Sequence, residues 1–498
     1  MAELIENTRR LRGILLRDRH RPAYHITTPE GVCAPFDPNG ALFWKGQYHL
    51  MYIIQTEKGH CWAHLSSHDL VHWRHHPLAL EPGGADNCIF SGGAFIDRNG
   101  VPTISYWGVD FSNQQRVGVC LATSTDDELD HWTKSPHNPV IRETEVGLTE
   151  NPDGTIWGAA DPSAIWVHNG RYYVLTGNLL VLRKFGIGKG LDEHQGDTAY
   201  LFVSDDLVHW QYLHPLYRSD RKWTRADEDN MCPDFFPLGD RTMLLFISHN
   251  LGCQYYLGRY EDDRFLPEQH GRMTWVDNAF FAPESLMDDR GRRIMWAWLL
   301  DGREASTRQA SMWSGTMSLP RVLWLGDDGT LRMAPPEELA LLRYAPWQSE
   351  GLTVGANSAL PLTEVQGDCL ELCMEMTSET ATQFGVRVRC SPDGEEQTAV
   401  FYDAVERKLK VDTQMASLGE GPKLVEGGPL VLGSGEPLRL RVFVDRSIVE
   451  VFANDRQAVA RCIYPTREDS LGVSLFSRDG ATSVTSVQAW KLAPANPW

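Results

Sequence analysis

CAPFDPNGALFWKGQYHLMYI (Cys33–Ile53) opens on Asp37-Pro-Asn-Gly, then alternates two apolar runs around Lys45-Gly46. Pro presets φ and Asn-Gly tolerates positive φ, so the first four residues read as a turn. Two apolar runs separated by a Gly-containing pair read as a β-hairpin. The same pattern returns in GAFIDRNGVPTISYW (93–107), SAIWVHNGRYYVLTG (163–177), DFFPLGDRTMLLFIS (234–248) and ESLMDDRGRRIMWAW (284–298). Their turns fall at Gly46, Gly100, Gly170, Asp240 and Gly291, a spacing of about 50–70 residues, as in repeat architectures. Three of the intervals carry a tag: SHDLVHW (67–73), STDDELDHW (124–132) and SDDLVHW (204–210). Five strand-rich units of this size predict a five-bladed β-propeller.

The repeat thins after about residue 335. PPEELALLRY reads as a short helix, and SEGLTVGANSALPL as a loose connection. Beyond about 360, period-two alternation returns, notably in LRLRVFVDRSIVEVFAN (438–454). The chain is therefore expected to be all-β: residues 1–345 a five-bladed propeller and 346–498 a C-terminal β-sandwich. Charged residues in the second unit read as ordinary half-buried sheet positions with no catalytic role.

A chain of 498 residues with 42% hydrophobic residues can bury two cores. The formal charge of −19 excludes nucleic acid and anionic membranes as natural partners, since both require basic surfaces. No apolar run is long enough to span a bilayer, and the charged N-terminus lacks a signal-peptide core, so a cytoplasmic location is expected. Ten scattered cysteines without a CxxC pair read as reduced thiols. No metal or cofactor is expected. HWRHHP (72–77) lies on the recurring tag and reads as a solvated blade edge.

Nine residues before the five turns stand Asp37, Ser91, Asp161, Met231 and Ala282. The first strand of a propeller blade lines the central channel, so equal phase predicts one ring near its mouth. Both ring aspartates precede Pro, and two carboxylates across a cavity suit glycosidic-bond hydrolysis, one attacking or activating water while the other side supplies a proton.

These segments resemble glycoside hydrolase family 32, the fructan-acting enzymes. RPAYHITTPEGVCAPFDPNGALFWKGQYHLMY is similar to the family opening that contains WMNDPNG. CWAHLSSHDLVHW, FSGGAFID, ADPSAIW, CPDFFPLGD and VFVDRSIVEVFAN resemble its remaining motifs. The resemblance implies a carbohydrate substrate, β-fructofuranosides or related furanosides, and a retaining mechanism with Asp37 as nucleophile. It implies that Asp161 holds ring hydroxyls and stabilises the transition state, while Asn39, Trp62, Phe90 and Ser91 shape the sugar subsite. The chain departs from the pattern at Phe36, Ile53 and Ala160. Above all, Met231 stands where the family has its acid/base glutamate, and methionine cannot transfer a proton. The Glu228–Asp229 pair is the expected substitute, since Asp229 shares parity with Met231 in an extended strand. Glu284 is the next choice, or otherwise binds substrate; Asp234 has the opposite parity. RADEDN (225–230) also reads as a solvated charged loop. Two other functions fit the same residues: a non-catalytic saccharide-binding propeller that has lost its acid, and an inverting furanosidase of a related five-bladed family.

Overall fold

The computed structural model describes residues 2–28, 31–112, 116–188 and 194–496. Five antiparallel sheets follow one another along residues 38–334, each entered by one of the hairpins. Blade one is built from Pro38–Trp44, Gln47–Thr56, Gly59–Ser67 and Arg74–His75 in that order. Blades two, three, four and five begin with Cys88–Ile96, Trp166–His168, Met231–Leu238 and Phe280–Met287. Lys45 and Gly46 both have positive φ (47° and 81°), as do Asn169 and Gly170 (48° and 75°). Such two-residue turns match the right-handed twist of the strands they join, which fixes the hairpin register.

The recurring tag forms the turn between third and fourth strands. Asp69 and Asp206 each accept two backbone N–H bonds from the residues that follow, and the tag Trp donates its indole N–H to the carbonyl of the tag Leu. Asp126, Leu129 and Trp132 repeat this arrangement in blade two.

The short helix expected in PPEELALLRY is a 3₁₀ helix over Glu337–Leu342. The stretch read as loose is two strands, Arg343–Val354 and Ser358–Gln366. The boundary expected at 345/346 falls inside the first of them, which pairs along its length with Thr482–Leu492. The sandwich consists of two six-stranded sheets.

Its charged residues are not all half-buried. Asp445 and Glu450 are fully buried at the junction with the propeller. Asp445 accepts the backbone N–H groups of Ala23, Tyr24 and His25 and the His25 ring at 2.8 Å. Glu450 pairs with Arg321 of blade five at 2.7 Å and lies 3.5 Å from His25. Buried between two carboxylates, His25 is pushed up to about 9, the carboxylate bonds outweighing its burial. The junction is thus ionic and dry, and one apolar core runs across it from Phe280 and Trp296 to Phe443 and Phe452.

All ten cysteines are free. Among the described residues no helix is long and apolar enough to cross a membrane.

Candidate active site

The inner strands of four blades share a distortion near the channel mouth. Pairing with the second strand shifts register at Asn39/Leu42, Ile89/Gly92, Met231/Asp234 and Phe281/Glu284. Such bulges turn side chains that a regular strand would send elsewhere. Asp161, Cys232 and Ala282 adopt left-handed φ values of 45°, 47° and 46°. For non-glycine residues that conformation costs about 1 kcal/mol or more, and it concentrates at functional sites.

Asp37 directly precedes the first strand. Its carbonyl accepts the Ile53 N–H (3.1 Å) and the Asn39 side-chain amide (2.8 Å). Asn39 in turn accepts the Gly92 N–H at 3.0 Å, which ties blade one to blade two directly behind the carboxylate. Asp37 Oδ2 accepts the Ser91 hydroxyl at 2.7 Å. Asp161 Oδ2 lies 3.7 Å from the Cys232 thiol. The other oxygen of each carboxylate, Asp37 Oδ1 and Asp161 Oδ1, is buried with no hydrogen-bond partner among the described residues. Leaving a buried acceptor unsatisfied costs about 1–3 kcal/mol, so two at one ring level are poised to receive something that supplies donors or is itself attacked.

Burial pushes Asp37 up to about 6, against the Ser91 bond and the nearby His249, which favour the carboxylate. Burial together with the charge of Asp37 pushes Asp161 up to about 7. Between these values the favoured form has Asp37 ionised and Asp161 protonated, the separation of roles that two carboxyls need to do different jobs.

Of the residues expected to donate a proton, Glu228 is fully buried rather than solvated, as are its neighbours Asp229 and Asn230. The reading of 225–230 as a solvated charged loop therefore holds for Arg225, Ala226 and Asp227, which are exposed, and not for the buried second half. Glu228 accepts both guanidinium nitrogens of Arg272 at 2.9 Å, the Arg225 N–H and the Gln254 amide. Those bonds outweigh its burial and hold it below the usual glutamate range, so it has no proton to give near neutrality. Asp229 is occupied at both oxygens by His249, through the backbone N–H (2.9 Å) and ring Nδ1 (2.7 Å). Glu284 accepts the Ala41 N–H at 3.0 Å, propping the blade-one bulge. Burial and the charge of Asp234 hold it well above its ordinary value. Met231 is sealed in the wall between blades three and four, its sulfur 3.5 Å from the Leu179 N–H. A Cβ at Gly177 would lie 2.3 Å from that sulfur, so only glycine leaves it room.

The sugar-facing set also needs correction. Trp62 is completely buried and donates its indole N–H to the Phe90 carbonyl at 3.0 Å, so it supports the wall and cannot touch a ligand. Asn39 is 1% exposed with both ends of its amide engaged, which makes it a positioning residue. Phe90 is half-buried, with its ring 4.8 Å from Trp107 and 6.3 Å from Phe111. Phe36, Ile53 and Ala160 are fully buried core residues.

Two residues reach this site without having been singled out: Cys232 and His249. The second follows from register. Met231 pairs with Ile247 across the blade-four hairpin, and extending that antiparallel ladder two residues sets Asp229 opposite His249. The His249 ring packs edge-on against Phe281 (5.4 Å), beside Ala282 of the ring. Burial alone would lower the imidazole. The Asp229 bond and the charges of Asp229 and Asp161 outweigh it, and the net shift is upward from 6.5, with Arg183 pulling the other way.

Next to the mouth lies a cleft of about 560 Å³ lined by Asp110, Phe111, Arg116, Leu148, Arg183 and others. Only one described cluster has metal-ligand spacing: His64, His76 and Asp130, whose ligand atoms lie within 4.8 Å of one another. Its atoms pair among themselves and with neighbours: His76 with Asp130 (2.6 Å) and Ser66 (2.7 Å), His64 with His49 (2.9 Å). The tag histidines are therefore not all solvated. His72 is exposed, but the His76 side chain is wholly buried.

Residues 25–335 match the glycosyl hydrolases family 32 N-terminal domain and residues 338–491 the family 32 C-terminal domain. Sucrose-6-phosphate hydrolase of Zymomonas mobilis subsp. mobilis is 29% identical over 514 residues, covering 97% of this chain and 94% of that one. Levanase of Bacillus subtilis is 29% identical over 512 residues, covering 94% and 70%. Fructan 1-exohydrolase IIa from Cichorium intybus superposes with a TM-score of 0.82 at 23% identity, covering 96% and 98%.

Proposed function

Because the chain belongs to glycosyl hydrolases family 32, we propose that this glycosidase releases fructose from β-fructofuranosides by a retaining double displacement in which Asp37 is the nucleophile. The observation that carries the reading is the pair of buried, unpartnered oxygens, Asp37 Oδ1 and Asp161 Oδ1, at one phase of the propeller. A carboxylate oxygen without a donor is the right group to form a bond to an anomeric carbon. Asp37 is ionised above about pH 6, and Ser91 holds its other oxygen so that the free one is presented at fixed orientation.

Asp161, largely protonated below about 7, has both a proton to donate and lone pairs to accept, which suits adjacent hydroxyls of the bound furanose. As positive charge develops on the ring carbon, its neighbourhood to the Asp37 carboxylate favours the transition state over the ground state. Phe90 offers an apolar face, and the cleft along Phe111, Arg116 and Arg183 leaves room for the remainder of the saccharide. The similar sucrose-6-phosphate hydrolase and levanase agree with a terminal fructosyl unit as the common element.

Proton NMR of the first-formed fructose tests the stereochemistry. Retention of the β-anomer is expected, together with a fructosyl ester on Asp37 in rapid-quench peptide mapping. First-formed α-anomer would establish the inverting reading, and saccharide binding without product would establish the binding-only one.

A further inference from the structure

A retaining hydrolase needs a proton donor on the leaving-group side, and the position that would hold a glutamate carries a sealed methionine. We propose that His249, held by Asp229, is the general acid and base of this enzyme, a proposal that rests on the retaining reading above. The arrangement is a carboxylate–imidazole dyad built across the end of a hairpin. Asp229 is 1% exposed and spends one oxygen on the His249 N–H and the other on Nδ1. That fixes the tautomer, with the Nδ1–H donating to Asp229, and aims Nε2 away from the wall. Nε2 has no hydrogen-bond partner among the described residues, and the side chain is 38% exposed at the mouth. Asn278 holds the His249 carbonyl at 2.9 Å and Phe281 packs against the ring, so the imidazole is fixed from blade five as well.

Charged groups face the ring from each element packed around it. Asp229 lies on its own blade and Asp161 on blade three; Asp37, on blade one, feels the imidazole in turn. Arg183, on the helical segment between the second and third strands of blade three, opposes them. The other acids fail on geometry. Glu228 is locked to Arg272 and Glu284 to the blade-one bulge, and Glu143 is 3% exposed, taking Trp107 and Gly147 on Oε2 with Oε1 buried, whereas the His249 ring opens on the mouth.

The chemistry balances. Asp37 Oδ1 bonds to the anomeric carbon while the bond to the leaving oxygen breaks. That oxygen takes the electron pair and the Nε2 proton, giving an alcohol, an Asp37 fructosyl ester and neutral His249. Water then attacks the same carbon and gives its proton to Nε2, and Asp37 leaves as a carboxylate, restoring the imidazolium.

The test compares leaving groups. The unactivated substrate is whichever of sucrose, sucrose 6-phosphate and 1-kestose the wild type cleaves fastest; the activated one is 4-nitrophenyl β-fructofuranoside. His249→Gln and His249→Ala are expected to lower kcat/KM on the unactivated substrate about 10²–10⁴-fold and to spare most of kcat/KM on the activated one, whose kcat falls because hydrolysis of the shared Asp37 ester loses its base; the retained first step also reports that the fold survives. The alkaline limb of the unactivated profile should vanish. Asp229→Asn, which removes the charge but keeps an acceptor, should move that limb to lower pH. Equal losses of kcat/KM on both substrates, or an unchanged alkaline limb, would overturn the assignment. Failure of the retaining reading shows separately, as first-formed α-anomer from the wild type and no fructosyl ester on Asp37.

Discussion

Replacing Ser91 with alanine probes the one hydrogen bond that orients the nucleophile. The Ser91 hydroxyl donates to Asp37 Oδ2 at 2.7 Å inside a pocket where both residues are nearly inaccessible. A hydrogen bond to a charged group is worth about 1.5–3 kcal/mol, and each pKa unit is about 1.4 kcal/mol. The hydroxyl stabilises the carboxylate form, so its loss raises Asp37 by about one to two units. The starting value is about 6. At pH 6 the ionised fraction then falls from about a half to about 1–10%, a further loss of about 5- to 50-fold. The assay is kcat/KM on an activated fructoside across the pH range, since the free enzyme's titrations govern that quantity and the leaving group needs little protonation. The acid limb should move upward, the deficit should shrink at alkaline pH, and Ser91→Thr should restore the original limb. An acid limb that stays in place, or moves to lower pH, refutes the claim that this bond sets the state of Asp37.

Three further outcomes follow from burial and charge. Asp37 is raised from 3.8 to about 6 by folding, so ionised Asp37 opposes the native state by up to about 3 kcal/mol. That penalty is absent below the unfolded value, grows between the two values and is complete above the folded one. Asp37→Asn should therefore raise the urea midpoint at pH 8 and leave it unchanged at pH 3.5, and a variant that is less stable at pH 8 contradicts the linkage. Glu143, pushed up to about 8 by burial, carries a proton at neutrality. Glu143→Gln should lie within about 0.5 kcal/mol of the parent at pH 7 and become the more stable protein at pH 9; a loss of several kcal/mol at pH 7 would mean the carboxylate form is the native one. Glu450→Gln leaves Arg321 buried without its counter-charge and should cost about 3–5 kcal/mol in equilibrium unfolding, whereas a loss under 1 kcal/mol would show that the junction does not depend on the pair.

The propeller is readable from turn spacing because hairpin turns and inward phase are one-dimensional properties, set by residues such as Gly46 and Gly170. The sandwich is legible only where alternation is strict. Arg343–Val354 lies at a sheet edge with mostly exposed side chains, so its apolar signal is too weak to separate it from a loop. At the site, phase gives Asp37 and Asp161 a common level, but not which way a bulged side chain points. Trp62, Asn39 and Glu284 share motifs or parity with the sugar-facing residues and turn into supporting roles because their polar atoms find backbone partners behind the wall. Glu228 and Asp229 are adjacent acids in sequence and opposite in fate, one neutralised by Arg272 and the other joined to His249. Arg272 and His249 are distant from that pair in sequence, and only the completed blade brings them together. His249 is recoverable in hindsight by running the blade-four ladder past its last paired residues, an extension that needs the bulge at Met231/Asp234 to be placed first.

All five strands of the last blade come from its own stretch of chain, so among the described residues no strand from the opposite terminus latches the ring. The gap between blades five and one is crossed by the Ala41–Glu284 and Tyr48–Asp288 bonds and, over them, by the leader strip at residues 23–28: Ile26 takes the Met317 N–H (2.8 Å), Thr27 reaches Gly315, and residues 23–25 are gripped by Asp445 of the sandwich. The second domain thus serves as a buckle for the first. Asp37 sits on one lip of that gap, whereas His249 leans on Phe281 of the other. Warming that slackens the buckle would part nucleophile from imidazole while every blade stayed intact, so activity should fade before the sheets melt. A circular permutant opened between two interior blades and closed across this gap should hold the two together to higher temperature.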